Sequence, residues 1–71
     1  MNDGARDRIS VNVTPRTRAA LERVAEREGV TVTEALRRLV GYGDLVYEVV
    51  RIHGNELLIR SRSTVHRIEL I

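Results

Sequence analysis

From Arg8 onward the chain alternates. Ile9, Val11 and Val13 fall on one side of the pattern, and Arg8, Ser10 and Asn12 on the other. A period of two in β-branched residues predicts a half-buried strand over residues 8–13. A lone strand cannot stand, and no other strand lies nearby in the sequence, so this one needs a partner from far along the chain or from another molecule. Residues 1–7 are polar and of mixed charge; they predict a flexible tail and lack the apolar segment of a signal peptide.

The period then changes. Thr14-Pro15 has the form of an N-cap followed by proline at the first helical position. A first helix is expected from Pro15 to about Glu28, with Ala20, Leu21, Val24 and Ala25 as its apolar stripe and Gly29 as its stop. Thr31-Val32-Thr33-Glu34 reads as a capping box, in which Thr31 accepts from the Glu34 N–H and Glu34 reaches back. The stretch after it is ambiguous. Leu45 to Ile52 is strand-like in composition, and Gly54-Asn55 has the form of a hairpin turn. Against this, Arg37, Gly41, Asp44, Glu48 and Arg51 recur at helical spacing, opposite Leu36, Leu39, Val40, Gly43, Val46, Tyr47 and Val50. Two complementary stripes predict a second helix from about Val32 to Ile52, ended by Gly54.

The chain closes on two more alternating runs. Residues 56–60 and 65–71 predict a β-hairpin with residues 61–64 as its loop. With Arg60 opposite Val65, the residues Leu57, Ile59, His66, Ile68 and Leu70 share one apolar face, which needs a cover.

Composition narrows the function. The chain has 71 residues, and a domain of this size buries only about 60% of its unfolded surface. It has no Cys, Phe or Trp, yet 42% of its residues are hydrophobic. A small apolar chain without disulfides or Cys-ligated zinc is a candidate for oligomerisation, in which a second chain completes the core. No apolar run approaches the roughly 20 residues of a membrane span. An enzyme is not expected, because so short a chain leaves little room for a pocket. Ser10, Ser61 and Ser63 have no triad around them, and His53 and His66 alone do not make a metal-ligand spacing. No cofactor is expected. All twelve basic residues are Arg, within a net charge of +2. Codon bias is the bland explanation; guanidinium is also the group suited to bidentate recognition of phosphate and guanine.

The ordered combination of the strand Arg8-Ile-Ser-Val-Asn-Val13, a helix of about four turns, the Gly29-Val-Thr-Val-Thr-Glu-Ala35 turn and a second helix resembles the ribbon-helix-helix regulators of the MetJ/Arc type. The resemblance covers residues 8 to about 50. It implies an α+β fold, an intertwined homodimer whose two strands pair antiparallel into a ribbon, and here a C-terminal β-hairpin as an addition. The implied organisation is a tail at 1–7, a dimerisation and DNA-binding domain at 8–53, and a hairpin extension at 54–71.

The implied function is sequence-specific transcriptional regulation, as a repressor in the bacterial or phage-infected cytoplasm. Arg8, Ser10 and Asn12 would read bases in the major groove of double-stranded DNA. Thr31, Val32 and Thr33 at the start of the second helix would hold phosphate, with Arg16 and Arg18 as weaker phosphate contacts. Ile9, Val11, Val13, Leu21, Val24, Leu36, Leu39 and Val40 would form the dimer core; whether dimers assemble further on DNA is left open by the sequence. Arg60 and Arg62 read first as a solvated turn, although phosphate is within their chemistry.

Bland readings stand beside these. The strand is otherwise an edge for a protein partner, and Thr31 and Thr33 are otherwise caps alone. An antitoxin, or an adaptor that uses the fold only to dimerise, is the alternative function. In either case the hairpin is a possible site for a protein partner.

Overall fold

The computed structural model describes residues 8–71. The tail expected at 1–7 lies outside them. Two helices are followed by a two-stranded antiparallel sheet, in the order α1 (Pro15–Glu28), α2 (Val32–Tyr47), β1 (Leu57–Ser61) and β2 (Thr64–Ile68). This is a small α+β chain with a helix–helix–hairpin order.

The strand expected at 8–13 is not formed in the single chain: residues 8–14 have no regular structure. The physical reason is a missing partner. Strand geometry is held by a ladder, and the one sheet among the described residues contains β1 and β2 only. Ile9 and Val11 are accordingly 86% and 67% exposed.

Local chemistry sets both ends of α1. Thr14 is extended (φ −72°, ψ 160°), and its side chain accepts the Thr17 N–H at 3.1 Å. Gly29 takes a left-handed conformation with φ 68°. This lets the Gly29 N–H reach Glu26 O at 3.3 Å and the Val30 N–H reach Ala25 O at 2.9 Å, so the last carbonyls are satisfied as the chain turns. The next cap follows at once. Thr31 is extended, and its hydroxyl accepts the Glu34 N–H at 3.0 Å.

The second helical stretch keeps its expected length but not its expected winding. α2 ends at Tyr47, and Glu48–Ile52 continue it as a π-helical turn. The His53 N–H donates to Glu48 O at 3.0 Å, five residues back, and Gly54 turns the chain away at φ 72°. Helical stripes therefore outweigh the strand-like composition of this segment.

The hairpin has the expected register, with Arg60 opposite Val65, Ile59 opposite His66 and Leu57 opposite Ile68. Its loop is shorter than expected. Ser61 pairs with Thr64, so the turn is Arg62-Ser63 alone, and Arg62 adopts φ 59°. Leu57, Ile68 and Leu70 are half-buried and line a depression shared with Val50 at the end of the helical stretch. Arg51 fastens the far end, its Nη2 donating to Leu70 O at 3.0 Å. Ile59, further out on the same face, stays 50% exposed, so the cover expected for this face is partial.

The core is small. Leu21, Ala25 and Ala35 are the buried apolar residues, where α1 and α2 cross. Of the residues expected in a dimer core, Leu21 is buried within the chain and Val24 and Leu39 are half-buried. Ile9, Val11, Val13, Leu36 and Val40 are exposed.

Candidate nucleic-acid interface

Two segments named by the sequence come together. Arg8, Ile9 and Ser10, from the irregular segment before α1, line one shallow depression with Thr33 at the start of α2. Two expected base-reading residues, Arg8 and Ser10, thus adjoin one expected phosphate-binding residue, Thr33. Asn12 is exposed on the same irregular segment but does not line the depression.

The start of α2 has free hydrogen-bonding capacity. The first turn of any helix leaves its leading N–H groups without intrahelical acceptors. Here the Glu34 N–H is taken by the Thr31 hydroxyl, and the Ala35 N–H by Thr31 O at 2.9 Å. Among the described residues the N–H groups of Val32 and Thr33 have no acceptor, and the hydroxyl protons of Thr31 and Thr33 likewise remain for an outside one. All three residues are exposed. Donors at a helix start, backed by the positive end of the helix dipole, suit a phosphate oxygen.

An acid beside such a site would oppose an anion, and Glu34 is that acid. The capping box is only half made: the Glu34 carboxylate turns away from Thr31 and binds Arg37 and Arg38. The hydrogen bond from Arg38 and then that from Arg37 hold the carboxyl below the ordinary glutamate range, so it stays ionised and paired. Arg38 also reaches Glu28 Oε1 at 3.1 Å, which ties the end of α1 to α2. The capping pattern drew attention to the wrong partner for Glu34. The signal that names the right ones is spacing, since Arg37 and Arg38 lie three and four residues on and share its helix face.

The weaker candidates separate. Arg18 is engaged with Glu22 at 3.2 Å. Arg16 and Arg8 have no ion pair among the described residues, and both are exposed. His53 and Glu48 approach to 3.9 Å, both exposed. No cluster of three or more His, Asp or Glu suited to a metal ion occurs among the described residues. No helix among them is long and apolar enough to cross a membrane. Comparison of the chain with protein-family models, with curated proteins and with solved structures finds no match.

Proposed function

We propose that this chain is a homodimeric, sequence-specific DNA-binding regulator of the ribbon-helix-helix kind, acting as a repressor in the cytoplasm. One observation carries the reading: the single chain leaves uncovered two apolar surfaces that a second copy would cover. The first is the strand face Ile9, Val11 and Val13. The second is a line along α2 formed by Leu36, Val40 and Tyr47, which recur at helical spacing and are 44%, 59% and 57% exposed. Burying each Val or Leu side chain contributes roughly 1.5–3 kcal/mol.

Two copies related by a two-fold axis would pair residues 8–13 antiparallel and lay their α2 lines against each other. That pairing would give the unpaired segment its ladder. It would also turn Arg8, Ser10 and Asn12 outward, doubled into a ribbon of six side chains. Such a ribbon fits a major groove about 12 Å wide, where Arg is matched to guanine and Asn to adenine. The depression shared by Arg8, Ser10 and Thr33 supports a joint surface, with the start of α2 on the phosphates beside the ribbon.

Selection of bound DNA from a random oligonucleotide pool tests the proposal. Enrichment of a short palindrome is the expected result. A pool that stays random after repeated selection would favour the adaptor, in which the strand serves only to dimerise.

A further inference from the structure

The outer edge of β1 has a pattern the helical half does not use. Leu57, Leu58 and Ile59 are successive large apolar residues in one strand. Successive side chains alternate faces, so Leu57 and Ile59 lie on one face and Leu58 on the other, between Glu56 and Arg60. An exposed sheet edge that carries large apolar side chains is a template for a further strand. Among the described residues β1 has a single neighbouring strand, β2, and Leu58 is 53% exposed.

The turn fixes which backbone groups face outward. Ser61 and Thr64 close the two-residue turn, and antiparallel pairs alternate between bonded and non-bonded. Ser61, Ile59 and Leu57 therefore point their N–H and C=O toward β2. Glu56, Leu58 and Arg60 point theirs to the open edge.

We propose that this edge joins a second copy of the chain, antiparallel, about a two-fold axis at Leu58. Within residues 57–60 the outward groups allow an axis at Leu57, Leu58, Ile59 or Arg60. An axis at Leu57 opposes Leu58 to Glu56 of the partner subunit. An axis at Arg60 sets two guanidinium groups against each other. An axis at Ile59 opposes Leu58 to Arg60 of the partner subunit. The axis at Leu58 opposes Leu58 to Leu58 of the partner subunit, Leu57 to Ile59 of the partner subunit, and Glu56 to Arg60 of the partner subunit.

Every pair from residue 56 to residue 60 is then apolar on apolar or acid on base, as a self-complementary interface requires. Arg60 has no ion pair among the described residues, so its guanidinium is available. Glu56 holds Arg67 at 3.3 Å through Oε2, which leaves its other oxygen for Arg60. The product is a four-stranded sheet in the order β2–β1–β1–β2. This contact goes beyond the DNA reading and does not depend on it.

Thiol cross-linking of the full chain tests the contact, because the chain has no cysteine of its own. Directly opposed residues in a bonded antiparallel pair have Cα atoms about 5.5 Å apart, within disulfide reach. Under mild oxidant, Leu58→Cys is expected to form a covalent dimer about tenfold faster than Ser63→Cys at the hairpin turn, because the paired thiols meet at a high effective concentration. Adding Arg60→Glu to Leu58→Cys should remove that advantage by opposing two acids. Adding Glu56→Arg as well should restore it by exchanging the charges. Equal rates for Leu58→Cys and Ser63→Cys, or failure of the charge exchange to restore the rate, would overturn the proposal. These rates do not involve DNA, so a protein that selects no operator can still cross-link, and the reverse also holds.

Discussion

Arg38 Nη1 donates to Glu28 Oε1 at 3.1 Å, and its Nε donates to Glu34 Oε2 at 3.2 Å. One guanidinium thus spans the turn between the helices and neutralises the acid nearest the start of α2. The pairing carries a pH signature. The Glu34 carboxyl lies below its ordinary value, so the stability it contributes is complete above the ordinary range and is lost as pH falls through the depressed value. Glu34→Gln should lower the melting temperature at pH 7. The difference from the unmodified chain should close at pH well below about 4, where the Glu34 carboxyl is protonated in the folded and the unfolded chain alike. A difference that persists unchanged into strong acid would mean the pairing does not act through charge.

Arg62 occupies the hairpin position that glycine fills most readily, at φ 59°. A side chain there costs about 1 kcal/mol or more in local conformation. Arg62→Gly should therefore stabilise the hairpin by a few tenths to about 1 kcal/mol, less than the full strain because glycine also loosens the unfolded chain. Thermal melts at fixed protein concentration check this; a fall in melting temperature would show that Arg62 makes a compensating contact.

Val11 sits at the centre of the strand face proposed to pair, yet it is 67% exposed in the single chain. Val11→Asp would be harmless if that exposure persisted in solution. If two strands bury it, the substitution should abolish the dimer, because an unpaired charge would lie in the shared core. Sedimentation checks the mass. The unmodified chain should also melt at a temperature that rises with its concentration.

Thr31 holds the Glu34 N–H at 3.0 Å and caps α2. Thr31→Ala should cost roughly 0.5–2 kcal/mol of stability. On the proposed surface it should also weaken specific and non-specific DNA about equally, since a phosphate contact carries no sequence information. Binding titrations against an operator and against unrelated DNA measure the two losses. Loss confined to the operator would place Thr31 at a base instead.

The helices were legible in the sequence because their signals are local. Thr14-Pro15, Gly29 and Thr31 each act within one turn of the residue concerned. The hairpin register was legible for the same reason, from alternation alone. Features that rest on a choice between partners were not. Nothing in Ser61-Arg62-Ser63-Thr64 marks a left-handed position, so the loop the sequence predicts is two residues longer than the turn that forms. The Glu34 side chain had three partners in reach, and the two arginines prevailed over the cap. The strand at 8–13 was read from its pattern, but a strand exists only with its ladder, and the single chain supplies none. Arg8, Ser10 and Thr33 do meet at one depression, whereas Asn12 lies outside it.

Arg8 and Asn12 are proposed to read DNA bases from a paired strand, and the ratio of specific to non-specific affinity measures this. Arg8→Ala and Asn12→Ala leave the apolar strand face intact, so the dimer should survive in sedimentation. Each should reduce operator affinity by about 1–3 kcal/mol per base contact, applied in both half-sites, while binding to unrelated DNA falls much less. The ratio should collapse with the dimer intact. A ratio unchanged in both variants, with the dimer intact, would contradict the account and leave the strand as a dimerisation device alone.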